Sequence, residues 1–424
     1  MCSMRKILTD FNNGVYKKNV KLLKHIDNDN CIIINNELKK QEWLGVGSAL
    51  TEASAYNFSL LSNSAKEKFL TDYFSEKGLD FNFGRISIGS NDFSLKSFDY
   101  SSSLDLIDFN ISDDFKYTLP FIKRVLNVKK IDLIASPWSP PKMYKNNNLL
   151  IGGKLKRKYY DKYALYLKFY LNAYKKEGVN IRYLTMQNEP FANQKWESCV
   201  YSLKQQKTFI YKYLIPKLDD TKVLLWDHNK ENLPKVVDKL YKNNPLIGGV
   251  GFHYYTGSYF DNIEIVRAKY PNLLLINTEM CCGFSRFNEL DWLNDAEIYL
   301  KELIGDANSG VNAFLDWNIL LDEKGGPCHF YNPVKSSSIY KNGTYIKSPI
   351  YYYLYHFSHF IKQGSFILDV NNNSDLFVTA ASTGKNIVVI VMNTQNFDNE
   401  FVIKISNRKI SDQIPKRSII TYII

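Results

Sequence analysis

The stretch IRYLTMQNEP (181–190) begins as an apolar, β-branched run suited to a buried strand and ends in two amides, a carboxylate and a proline. Its counterpart LLLINTEM (273–280) is again an apolar strand, and it delivers Glu279 at its exit as the first delivers Glu189. Six further runs of this kind occur at WLGVGSAL (43–50), FNFGRISIG (81–89), KIDLIASPW (130–138), KVLLWDHN (222–229), GGVGFHYY (248–255) and VNAFLDWN (311–318). Unbroken apolar runs of strand length suit parallel strands buried on both faces. Between them lie segments of helical period, such as KYALYLKFYLNAYKKEG (162–178), whose final glycine suits a helix C-terminus. Eight strand–helix units predict an α/β fold of the (β/α)8 TIM-barrel type.

Both ends of the chain read differently. After an aromatic helix candidate, YYYLYHFSHFIKQG (351–364), period-2 segments follow one another: SFILDV, LFVTAAS, NIVVIVMN, FVIKIS and SIITYII. NVKLLKHI (19–26) and CIIINN (31–36) have the same character ahead of the first barrel strand. The expectation is a small all-β sandwich built from both ends, with residues 1–42 and 361–424 flanking a barrel over 43–360. No internal repeat or low-complexity linker separates the two parts.

The chain has 424 residues, 45% of them hydrophobic and 23% charged, enough for a large core. Its formal charge of +11 raises the question of a polyanion partner, but the one dense basic run, GGKLKRKYYDKY (152–163), reads as a helix start with no nucleic-acid motif around it. A lysine-rich solvated surface is the expected reading, with no nucleic acid as partner. Six cysteines at 2, 31, 199, 281, 282 and 328 form no CxxC pair and no metal-like spacing with histidine, so neither metal nor cofactor is expected. No apolar segment reaches the length of a signal peptide or a membrane span. A cytoplasmic protein without stable membrane insertion is therefore expected, or a secreted one if a leader has been trimmed.

In such a barrel the C-terminal strand ends converge on one mouth, where catalytic groups gather. Counting strands puts Glu189 at the fourth exit and Glu279 at the seventh, across the mouth from each other. Two facing carboxylates meet the requirement of glycoside hydrolysis, in which one protonates the leaving oxygen and the other attacks or activates water. Other exits carry Asp92, Trp138, Asn188, His253-Tyr254-Tyr255 and Trp317-Asn318, the amides, carboxylate and aromatic faces that grip a sugar ring.

The motifs GVGSALTEASAYN, GRISIGSNDFS, ASPWSPPKMYK, TMQNEP, FHYYTG, NTEMCCG and LDWNILLDEKGGP, taken in order, resemble those of glycoside hydrolase family 30, the acid β-glucosidase (glucosylceramidase) family. The resemblance runs over nearly the whole chain. It implies that Glu189 is the general acid/base and Glu279 the nucleophile. It further implies that Asp92 and Trp138 bind the sugar in the −1 subsite, and that Asn188 contacts its 2-hydroxyl. Tyr255 would lie close to the nucleophile, Trp317 in the sugar platform, and Asn332 would supply another sugar-contacting amide. The loop FANQKWESCVYS after Glu189 and the pair Cys328-His329 depart from the animal pattern, and these loops shape the leaving-group site.

The expected activity is a retaining β-glycosidase acting on β-glucosides or glucosylceramide by double displacement. β-1,6-Glucanase, β-xylosidase and β-fucosidase activity are the alternatives within the same chemistry, and a non-catalytic carbohydrate-binding protein is the alternative outside it. The carboxylates are expected about 5–5.5 Å apart. A Glu189 pKa raised by the neighbouring Glu279 is expected as well.

Overall fold

The computed structural model describes residues 4–20 and 30–424. Eight parallel strands close into a barrel. They are β1 (Gly45–Ala49), β2 (Phe83–Ile88), β3 (Asp132–Pro137), β4 (Tyr183–Thr185), β5 (Lys222–Asn229), β6 (Ile247–His253), β7 (Leu274–Glu279) and β8 (Ala313–Asp316). Each overlaps its expected segment, and β8 pairs with β1 to complete the ring.

Period-2 alternation sets the layers of the barrel interior. Phe83, Ile134, Tyr183, Leu224 and Ile276 pack together with Ala313 and Leu315 as an apolar plug. Two residues further along four of these strands come Arg85, Ser136, Thr185 and Thr278, so the next inward layer toward the mouth is polar. On β5 the corresponding step is three residues, from Leu224 to Asp227. A register shift between Trp226 and His228 inserts the extra residue, and Trp226 (φ 77°) and Asp227 (φ 63°) take left-handed backbone to do so.

The outer helices follow from sequence pattern. Helix Tyr160–Lys176 buries Tyr163, Tyr166, Leu167, Tyr170, Leu171 and Tyr174, a stripe at three- and four-residue spacing. A buried large side chain of this kind contributes about 1.5–3 kcal/mol. Gly178 ends the helix at φ 79°, and Val179 N–H returns to Tyr174 C=O at 2.9 Å. At the entry to β1, Gly45 has φ 138°, and a Cβ there would stand 1.7 Å from Asn82 Oδ1. Only glycine fits that approach.

The side domain is a single nine-stranded sheet, continuous through both chain ends. Its order is 408–414, 399–405, 31–43, 365–372, 377–383, 386–393, 418–423, 5–10 and 15–19. The expected sandwich arises because this one sheet folds over on itself. Lys6 Nζ and the Tyr422 hydroxyl both meet Asp412 Oδ2 at 2.7 Å, joining strands far apart in sheet order. Ile32, Ile34, Leu368, Val389, Val391, Phe401, Ile403 and Tyr422 fill the fold. Of the expected N-terminal segment NVKLLKHI, residues 21–26 lie outside the described residues. Helix Pro349–Ser358 joins the two parts: Phe357 packs on Trp43 with ring centroids 4.9 Å apart, and His356 sits between Thr9 and Thr421 at 2.8 Å from each.

Among the described residues, no helix is long and apolar enough to cross a membrane. A hairpin, Ser338–Lys341 and Thr344–Lys347, extends the short strand Leu320–Leu321 beside the barrel. Asn342 and Gly343, at φ 47° and 76°, form its turn.

Candidate active site

Glu279 closes β7 and Glu189 follows β4 with φ 47°, an unusual backbone for a side chain of its size. The Glu189 amide donates to Asp227 C=O at 2.9 Å, which ties the end of β4 to the bulge in β5. His253, at the end of β6, stands between the two carboxylates. Its Nδ1 lies 3.4 Å from Glu189 Oε1 and 3.9 Å from Glu279 Oε1. Those two oxygens are therefore no further apart than the sum of these distances.

Each glutamate has its own surroundings. Glu279 accepts a hydrogen bond from Arg85 on one oxygen and from the Tyr255 hydroxyl at 2.9 Å on the other. Glu189 accepts from Gln194 Nε2 at 3.0 Å and has His228 Nδ1 at 3.6 Å. Neither imidazole nitrogen reaches good hydrogen-bond distance of Glu189, so their influence is mainly charge proximity. The expected rise of the Glu189 pKa is corrected here. Burial pushes it up, but His228 and His253 outweigh burial and hold the carboxyl well below the usual range. Burial disfavours the His253 cation, yet Glu279, Asp227 and Glu189 together raise it to about 9. The pair therefore keeps its proton mainly on the imidazole.

Arg85 is the hub of the polar layer. It is fully buried, and its Nη2 donates to Asn188 Oδ1 at 2.8 Å and to Asp227 Oδ2 at 3.0 Å. Asp227 also accepts from Ser136 at 2.9 Å, Thr185 at 2.8 Å and Thr278 at 2.7 Å. With Oδ1 of Asn188 taken by Arg85, its NH₂ group is left to donate to a ligand. The Arg85 guanidinium lies 4.8 Å from the Trp138 ring centre and 5.6 Å from that of Trp317. Those rings stack on each other at 5.4 Å, and Phe93 meets Trp317 edge-on.

Asp92 accepts from Asn332 Nδ2 at 2.8 Å, while its buried Oδ1 has no protein partner. Burial pushes its carboxyl up to about 7, against the Asn332 bond. Lys145, buried in the loop after β3, donates to Ser139 Oγ at 2.7 Å and to the carbonyls of Leu150 at 2.8 Å and Ser198 at 2.6 Å. It thus pins the loop after β4, and burial lowers its pKa to about 8.

All eight side chains singled out in the sequence (Asp92, Trp138, Asn188, Glu189, Tyr255, Glu279, Trp317 and Asn332) line one cavity of about 500 Å³ at the mouth. Gln194, Trp196, His228 and Cys281 line it too, and sequence reasoning did not find them. Arg85 and Asp227 were also missed. A charged residue inside an apolar strand was the available signal for each. Larger hollows occur at the barrel seam with the side domain (about 700 Å³) and on the outer wall (about 760 Å³), but neither gathers facing carboxylates over aromatic rings.

Comparison with known proteins agrees with this geometry. The glycosyl hydrolase family 30 TIM-barrel domain matches residues 44–361. Lysosomal acid glucosylceramidase of Mus musculus is 29% identical, with 87% of this chain and 78% of the mouse protein covered. An endo-1,6-beta-D-glucanase of Neurospora crassa is 24% identical, with 91% and 86% covered. The crystal structure of SrfJ from Salmonella typhimurium superposes with a TM-score of 0.94 at 27% identity, over 99% of both chains. Fold, mouth chemistry and these similarities lead to one conclusion: the chain belongs to glycosyl hydrolase family 30 and is a glycoside hydrolase.

Proposed function

We propose that this chain is a retaining β-glucosidase, with Glu279 as nucleophile and Glu189 as general acid and then general base. The observation that carries the reading is the single His253 nitrogen within 4 Å of both carboxylates. That shared contact keeps the facing oxygens close and supports a retaining pair, about 5–5.5 Å apart, over an inverting one, about 6.5–9.5 Å apart. Glu279, fixed by Arg85 and Tyr255, attacks the anomeric carbon as the glycosidic bond breaks. Glu189 gives its proton to the departing oxygen, draws it back from water in the second step, and exchanges it with His253. Asn188 NH₂ and the free Asp92 oxygen bind sugar hydroxyls, and Trp138 and Trp317 wall the ring. The mouse relative supports a glucoside, including glucosylceramide, as substrate.

A second reading is hydrolysis of β-1,6-glucan. Phe191, 46% exposed just beyond Glu189, and Tyr331, 92% exposed beside Asn332, would offer stacking faces to further sugar rings, and the Neurospora relative supports it. The test is a panel of aryl β-glucoside, xyloside, fucoside and galactoside, with glucosylceramide and a β-1,6-gluco-oligosaccharide, followed by NMR of the first anomer released. A β-anomer from a glucoside supports the proposal. An α-anomer excludes retention, and turnover of the oligosaccharide alone selects the second reading.

A further inference from the structure

Glu197 and His329 lie in the two loops that depart from the animal pattern, and they meet behind the sugar-facing wall. Glu197 is 1% exposed. Its Oε1 accepts from Ser90 Oγ at 2.8 Å and Ser97 Oγ at 2.7 Å and faces His329 Nε2 at 3.1 Å, while its buried Oε2 has no protein partner. His329 Nδ1 faces the Ser94 carbonyl at 2.9 Å. Ser97 Oγ, also 3.1 Å from Nε2, already gives its one proton to Glu197, and a carbonyl and a carboxylate can only accept, so the ring's contacts with Ser94 and Glu197 are both hydrogen bonds only when both ring nitrogens carry protons. The geometry describes an imidazolium–carboxylate pair joining the loops after β2, β4 and β8.

Two of these loops also carry Asp92 and Asn332. Ser90, Ser94 and Ser97 bracket Asp92, and His329 precedes Asn332 by three residues. The Asp92–Asn332 bond joins the loops after β2 and β8, and Glu197, from the loop after β4, braces the same two loops through Ser90 and Ser97 on one side and His329 on the other. We infer that Glu197 and His329 form an ionisable latch that holds Asp92 and Asn332 in register for the sugar, so that its state sets substrate affinity rather than chemical rate. The inference rests on the reading of Asp92 as a sugar ligand. Both residues act through that pair and are positioning residues.

The latch closes within a pH window. Burial disfavours the His329 cation, but contact with Glu197 raises its pKa, so the cation is lost as pH rises through that raised value. Burial favours protonated Glu197, yet His329 and Ser97 lower its pKa, so the anion is lost as pH falls through that lowered value. The other charged groups acting on the pair are Asp92, Glu52 on the helix after β1 and buried Lys145, with the Lys96–Asp113 ion pair acting in turn on Glu52.

The test is KM and kcat against pH for the native chain, His329→Ala, His329→Gln and Asp92→Ala, on the aryl glycoside turned over best. Dissociation constants for a matching iminosugar, read by tryptophan fluorescence, and thermal unfolding accompany each. His329→Ala is expected to raise KM about tenfold, the equivalent of one charge-assisted hydrogen bond, with kcat within about twofold. His329→Gln keeps a donor toward Glu197 but cannot titrate, so it should recover most of the affinity and abolish the alkaline rise in KM. Equal effects of His329→Ala on kcat and KM, or an alkaline rise that persists in His329→Gln, would overturn the latch. An Asp92→Ala chain with native affinity would instead overturn the reading of Asp92, whatever the latch variants do.

Discussion

Arg85 Nη2 stands 3.0 Å from Asp227 Oδ2, and neither side chain touches solvent. The same guanidinium holds Glu279 through its other nitrogen, so one cation serves two buried carboxylates. Replacing it by an apolar chain leaves His253, 3.2 Å from Asp227 and 3.9 Å from Glu279, as the cation beside both buried anions. Arg85→Met is expected to cost about 3–5 kcal/mol, measured by denaturant unfolding. Arg85→Lys keeps the charge but not the fork, and should retain more stability than activity. A cost below about 1 kcal/mol for Arg85→Met would mean that Asp227 is held by His253 and its hydroxyl donors without Arg85.

The two glutamates should fail differently. Glu279→Gln removes the attacking group and is expected to lower kcat by about four orders of magnitude or more while the unfolding midpoint holds. Glu189→Ala removes the proton donor, so substrates with poor leaving groups should suffer far more than activated aryl glycosides. Added azide should restore turnover of the activated substrates in Glu189→Ala and not in Glu279→Gln. The opposite pattern of rescue would exchange the two roles.

The His253 proton predicts a pH profile. A pKa raised to about 9 by Glu279, Asp227 and Glu189 against burial keeps the ring charged below that value and discharges it above. Because Glu189 and His253 share a proton, the alkaline limb of kcat/KM is expected near pH 9 in the native chain. In His253→Asn the limb should follow the Glu189 carboxyl alone and drop by about one pH unit or more. A limb that stays in place would remove His253 from the proton inventory of the site.

His356 predicts an acid-labile seam. Burial lowers it to about 3, so it is neutral where it bridges Thr9 and Thr421. A lowered imidazole contributes its stability above the unfolded value and loses it as pH falls below about 6.5. At about 1.4 kcal/mol per pH unit, the native chain should lose about 2 kcal/mol between pH 6.5 and 5 from this group. Urea midpoints at the two pH values measure the loss, and His356→Gln should flatten it. Equal slopes in both chains would assign acid lability to other groups.

The barrel was legible because its strands are unbroken apolar runs and its helices carry tyrosine at helical spacing. Seven of the eight lining residues were legible because they stand at or just beyond strand exits, where position implies the mouth, and Asn332 only because its motif resembles the family's. Arg85 and Asp227 were marked only as charges inside apolar strands. Each lies within its strand, and only the layer arithmetic of the closed barrel, with the bulge at Trp226, turns them inward. The Asn342-Gly343 turn did carry a readable hairpin signal that went unused. Strands Arg5–Asp10 and Arg408–Ile414 escaped notice because Arg5, Lys6 and Asp10, and Arg408, Lys409 and Asp412, put charges among few apolar positions. Asp412, buried on Lys6 and Tyr422, is in fact part of the side-domain interior.

The strand nearest the N-terminus, Arg5–Asp10, pairs with Ser418–Ile423, so that Arg5 lies opposite Ile423. On the ribosome the first of these strands emerges long before the second. At about 5–20 residues per second, the first waits roughly 20–80 seconds with one edge open before its neighbour exists. The barrel can bury its own core during that interval, while the sheet beside it closes only when Ser418–Ile423 arrives. A nascent chain that stops before Ser418 leaves that edge of Arg5–Asp10 without its partner strand.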